Sequence, residues 1–116
     1  MVQPEGAKRI GWADFEAVGL RAGTIVKVEE FPEARKPAYK IWVDLGPLGV
    51  KRSSAQLTAL YKKEELLGAQ VLCVTGFGPK QVANFISEVL VTGFVLPQGV
   101  VLAKPERAVP NGTRLA

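Results

Sequence analysis

Lys36, Lys40, Lys51 and Arg52 crowd into one stretch, Arg35 to Gln56, together with Ser53, Ser54 and Gln56. Five Lys/Arg stand there against a single carboxylate, Asp44. Cations at that density can hold peptide carbonyls, acidic side chains or phosphates. A solvated charged face explains them equally, since Lys and Arg normally lie outside. Ser53, Ser54 and Gln56 could hydrogen-bond an extended backbone, while Ser53 with Gln56 three residues on also fits a helix capping box. Asn84, Phe85 and Ser87 form a second group, with an aromatic ring between polar side chains, as in an apolar pocket with a polar rim. An ordinary core phenylalanine is the competing reading. A hydrolytic Lys51–Ser53 pair finds no support, because nothing marks an oxyanion hole or an activated lysine.

The rest of the chemistry is excluded by composition. There is no histidine, which removes the commonest general base and metal ligand. The lone Cys73 allows neither an intrachain disulfide nor a familiar zinc site. Gly76-Phe77-Gly78-Pro79-Lys80 lacks the Gly-Lys-Ser/Thr ending of a phosphate loop. We therefore expect a binding protein with no catalytic residue, cofactor or metal. The net charge of +4 permits acidic partners without requiring them. A chain of 116 residues suits one domain. No apolar run approaches the roughly 20 residues that span a bilayer, and MVQPEGAKRIGWADFE lacks the apolar core of a secretory signal. With a single cysteine, a cytoplasmic location is the expectation.

The elements that must position these side chains read as follows. In Tyr39 to Leu45, Tyr39, Ile41, Val43 and Leu45 alternate with Lys40, Trp42 and Asp44, the mark of a strand with one buried face. Gly46-Pro47-Leu48-Gly49 turns the chain into a return strand, Val50 to Ser54. Tyr39 faces the core and Trp42 lies outside the interior, awaiting cover from a terminal segment, a partner subunit or a ligand. On this hairpin Lys40 and Lys51 would flank one depression. Ahead of it, Met1 to Ala7 is a loose lead-in, and a brief helix follows, with Asp14 as cap and Trp12 and Phe15 as packing residues. Leu20 to Glu30 is a strand with Ala22, Thr24, Val26 and Val28 on one side and a bulge or bend at Gly23. After the hairpin, a helix is expected over Ala55 to Tyr61, with Leu57 and Leu60 inward and another turn to Leu67 stopped by Gly68. Strands follow at Gln70 to Thr75, Ile86 to Phe94 and Val100 to Ala103. Val82 to Phe85 is either turn or extended chain, and Val109 to Leu115 closes with a turn and an apolar anchor. Residues 1–13 would be an extension and 14–116 the domain. About five strands with one helix between the third and fourth define an all-β fold with a short helix, the OB-fold, a five-stranded Greek-key barrel.

The stretch Leu20-Arg21-Ala22-Gly23-Thr24-Ile25, with Asp14-Phe15 before it, resembles the opening of the tRNA-binding domain family, also found at the C-terminus of bacterial methionyl-tRNA synthetases. Three further blocks resemble the CsaA export-related chaperones: Ala34 to Lys40, Lys51 to Thr58, and Pro79 to Leu90, with the ending Val109-Pro110-Asn111-Gly112. The chain departs from the wider family at Glu33 to Pro37 and at Ser54-Ala55-Gln56. The resemblance implies a homodimer of OB-fold subunits that binds unfolded or precursor polypeptides and is linked to the export machinery, without insertion into a membrane. Binding of tRNA or structured RNA on the same basic surface is the alternative. One groove wall would be Lys36, Lys40, Lys51, Arg52 and Ser54, with Ser53 and Gln56 as further candidate contacts, and the other wall Asn84, Phe85 and Ser87.

Overall fold

A computed structural model describes residues 8–116, so the expected lead-in at Met1 to Ala7 lies outside the described residues. Helix α1, Trp12–Val18, begins where the Asp14 carboxylate accepts the Gly11 N–H at 2.7 Å and stops at Gly19, whose φ of 66° is left-handed. Trp12 stacks on Phe15 at 5.2 Å but is 61% exposed, so it does not anchor the helix in the core as expected.

Strand β1, Leu20–Glu30, is long enough to serve two partners. Its second half pairs with β2, Tyr39–Asp44, and its first half with β4, Gln70–Val74, both antiparallel. The register slips between Ile25 and Lys27, so the bulge falls there and not at Gly23. The slip reverses the expected face: Ile25 is buried and Val26 exposed. Gly23 has a different role, since a Cβ there would lie 3.0 Å from the Asp44 carbonyl and closer still to Val43. A short 3-10 turn, Gly46–Leu48, leads from β2 into β3, Val50–Ala55. The sequence Ser53 to Gln56 thus ends a strand and caps no helix. The helix of this region is α2, Lys63–Leu66, a single turn whose Leu66 is fully buried. Leu57 is buried as expected, but Leu60 is 39% exposed.

The expected long strand Ile86 to Phe94 is broken into pieces. Strand β5, Lys80–Val82, and β6, Phe85–Ser87, form a hairpin closed by Ala83-Asn84, with Ala83 at φ 50°. Strand β7, Leu90–Val91, then joins the main sheet, and β8, Gly93–Leu96, pairs with β9, Gly99–Leu102. The main sheet has the order β3-β2-β1-β4-β7. Its free edge, β3, curls onto the segment before β7, where Glu88 N and Val89 N donate to the Arg52 carbonyl at 2.7 and 3.1 Å. The result is a five-stranded, nearly closed antiparallel barrel, the OB-fold expected above. Inside it Ile25, Ile41, Val43, Leu45, Leu66, Val71 and Cys73 are almost wholly buried, the β2 members set there by strict alternation. The C-terminal segment is held by its backbone, with Gly112 N donating to Ala22 O at 2.7 Å and Leu115 N to Leu20 O at 2.9 Å, while the Leu115 side chain stays exposed.

Candidate functional site

The outward residues of β2 and β3 sit side by side: Lys40 opposite Ser54 and Trp42 opposite Arg52. The β5–β6 hairpin lays Phe85 across them. Its ring lies 5.7 Å from Trp42 and 5.6 Å from Phe31, both tilted toward edge-to-face, and with Ala38 these rings make a second hydrophobic cluster outside the barrel. Cations close it over. Lys40 Nζ stands 5.1 Å from the Phe31 ring and Arg52 Cζ 5.6 Å from Phe85, while Lys27 Nζ covers Trp42 at 4.6 Å. Arg52 also pairs with Glu88 at 3.2 Å. Trp42 is thus covered by a neighbouring hairpin of its own chain.

Adjacent serines are divided between two tasks. Ser53 has no exposed surface; its hydroxyl accepts Val91 N at 3.3 Å, helping to close the barrel. Ser54 faces outward, and its N–H donates to Ser87 Oγ at 3.0 Å. Lys51 pairs with inward-facing Val43, two residues from buried Ser53, so Lys40 and Lys51 point to opposite faces and do not flank one depression. Asn84 is exposed at the tip of its hairpin.

Between the 31–38 loop, the end of β3 and the β5–β6 hairpin lie two adjoining cavities of about 850 and 490 Å³. They share Ser54, Gln56, Lys80 and Val82, so they form one groove. Arg35, Lys36 and Gln81 line its first part; Phe77, Ser87 and Leu90 line its second. Of the residues singled out from sequence, the groove brings together Lys36, Ser54, Gln56 and Ser87. Lys40, Arg52 and Phe85 build the packed wall beside it. Lys51 lines a third cavity, with Arg21 and Thr75, that touches the groove at Phe77, Glu88 and Val89. Sequence reasoning missed Phe77, Lys80 and Leu90. Phe77 carried a readable signal, because an aromatic ring set between Gly76 and Gly78-Pro79 cannot be held in a strand interior, and it is 61% exposed.

Titration adds little chemistry. Burial pushes the Cys73 thiol up to about 12, which makes it inert as a nucleophile. Among the described residues no cluster of three His, Cys, Asp or Glu could hold a metal, and no helix is long and apolar enough to cross a membrane.

Comparison with known proteins places this barrel. Residues 20–114 match the family model "Putative tRNA binding domain". A methionine–tRNA ligase of Thermococcus kodakarensis is 32% identical over 113 residues, covering 96% of this chain but 15% of that enzyme. The chain thus spans only a small part of the curated relatives it matches. Two solved structures align over their full length. The chaperone CsaA of Bacillus anthracis is 46% identical over 94% of this chain, with a TM-score of 0.87. The CsaA chaperone protein of Picrophilus torridus is 44% identical over 93%, with a TM-score of 0.86. The chain belongs to the tRNA-binding domain family of OB-fold barrels, in its CsaA branch.

Proposed function

We propose that this chain is a non-enzymatic, chaperone-type protein of the cytoplasm that works as a homodimer and holds unfolded or precursor polypeptides, in connection with export. The observation that carries this reading is the make-up of the groove. Exposed Phe77 and Leu90 stand within it beside Arg35, Lys36 and Lys80, a mixture that suits unfolded chains, which present apolar and charged side chains together. Full-length likeness to two CsaA chaperones supports it. In this reading Lys36, Ser54, Gln56 and Ser87 meet the ligand, while Lys40, Arg52 and Phe85 hold the wall.

The dimer would form through the β8–β9 hairpin. Phe94 is 63% exposed and Val95 84%, with Leu96 and Val101 beside them, an apolar surface that a second copy could cover. Two grooves on one dimer raise the hold on a long chain without a tight single site. Light scattering should show a dimer that Val95→Glu converts to monomer; a monomeric unaltered protein at micromolar concentration would remove the dimer.

A second reading, tRNA or structured RNA as ligand, is favoured by one feature. The cavity holding Arg21 and Lys51 meets the groove at Phe77, Val89 and Glu88, whose carboxylate is paired with Arg52, and so prolongs a basic track around an exposed ring. Titration of an unfolded polypeptide and of tRNA across salt separates the two. Polypeptide binding that survives added salt better than tRNA binding is expected, whereas a steep salt slope for tRNA without polypeptide binding selects RNA.

A further inference from the structure

Alternate residues of an antiparallel strand direct their backbone groups to opposite edges. On β3 the residues directed away from β2 are Arg52, Ser54 and then Gln56: Arg52 N donates to Glu88 Oε1, the Arg52 carbonyl accepts Glu88 N and Val89 N, and Ser54 N donates to Ser87 Oγ. There the pairing stops. The Ser54 carbonyl takes only a 3.4 Å contact from the Ser53 hydroxyl, and Gln56 N–H has no protein acceptor among the described residues. Both residues line both parts of the groove. A backbone acceptor and a backbone donor, at the spacing of a strand edge, therefore open into it. The groove's charge is one-sided. Arg35, Lys36 and Lys80 have no ion-pair partner among the described residues, and the carboxylate of Glu88 is held by Arg52.

We infer that the groove takes its ligand as an added β-strand, an extended acidic segment that donates an N–H to the Ser54 carbonyl and accepts the Gln56 N–H. This rests on the polypeptide reading above. Main-chain pairing gives affinity with little demand on sequence, which suits a protein that holds many clients. Carboxylates on the added strand meet Arg35, Lys36 and Lys80, and apolar side chains meet Phe77 and Leu90.

The local backbone supplies a clean test. Leu57 N donates to Ala55 O at 3.0 Å, a three-residue turn centred on Gln56, and Ala83 is the one described non-glycine residue with positive φ. The turn is thus of the inverse type, with φ near the value that proline imposes. Ala55 before it is extended, as a residue preceding proline must be. Gln56→Pro therefore deletes the N–H and keeps the turn, while Gln56→Ala deletes only the side chain. The probe is a fluorescein-labelled peptide of alternating glutamate and valine, read by anisotropy. Gln56→Pro should weaken binding by about tenfold with its melting temperature unchanged, and Gln56→Ala by less than about twofold. Esters in place of the peptide's central amides remove the donor to Ser54 and should weaken binding to the unaltered protein similarly; that probe decides the matter if Gln56→Pro does not fold. Undiminished binding by Gln56→Pro and by the ester probe, with Lys80→Glu still weakening it, overturns strand addition and leaves the polypeptide reading standing. An unaltered protein that binds tRNA and no polypeptide overturns both.

Discussion

The barrel interior and the cluster on its outer face are both hydrophobic, yet they are assembled differently. Interior residues such as Tyr39, Ile41 and Val43 come from one strand with period two and are buried in the barrel. The outer cluster draws Phe31 and Ala38 from a loop, Trp42 from β2 and Phe85 from a hairpin, and it is closed by lysine and arginine rather than by a second layer. The difference is one of consequence. The interior determines that there is a barrel, whereas the outer cluster seats the β5–β6 hairpin against the 31–38 loop and so creates the groove.

Substitutions can press on this division. The largest effect is expected from Ile41→Ala, a fully buried truncation that should cost ~2–5 kcal/mol in urea unfolding. The surviving folded fraction should bind as before, because Ile41 reaches neither cavity. Phe85→Ala should cost less, about 2–3 kcal/mol, since a cluster at the surface can collapse more readily. It should nonetheless weaken polypeptide binding by about tenfold or more. Undisturbed binding in a folded Phe85→Ala protein would mean that the hairpin keeps its place without the cluster. Ser53→Ala tests the seam between the two regions. Removing its hydroxyl leaves the buried Val91 N–H unpaired, with an expected loss of ~1–3 kcal/mol.

The smallest effect concerns pH. Cys73 sits in the interior with its thiol raised to about 12 from 9.0. Above pH ~9 the unfolded chain loses the thiol proton while the folded chain keeps it, so the unfolded state binds fewer protons and stability falls as pH rises. By about pH 10 the loss should be ~1.4 kcal/mol relative to Cys73→Ser measured across the same range. Tyr39, raised by burial and secondarily by Glu30, contributes in the same direction in both proteins and cancels from that difference. Absence of a Cys73-dependent slope would argue against a sealed interior at this site.

How far the site was legible follows from the same contrast. The Tyr39 to Ser54 hairpin was plain in the alternation, and its outward Lys40 and Trp42 lie where the pattern put them. Ser53 and Gln56 matched a helix cap by spacing alone, but strand pairing with β2 extends to Ala55 and outweighed that local signal. Ile86 to Phe94 looked continuous because Ile86, Val89, Leu90, Val91 and Phe94 follow one another with no proline between them. It splits because β6 packs on β3 while β7 pairs with β4, two partners in different directions. Phe85 was readable as a buried ring, but not as one packed outside the barrel.

By itself the sequence determined the family, the barrel and the outward basic face of the hairpin, because hydrophobic alternation and family blocks are properties of neighbouring residues. Tertiary structure alone decided which cations are spent on aromatic rings and that Lys80, Phe77 and Gln56 share a groove. Those outcomes depend on contacts such as Ser53 with Val91, 38 residues apart in the chain. Contacts of that range form only when the sheet closes, and no local pattern encodes them.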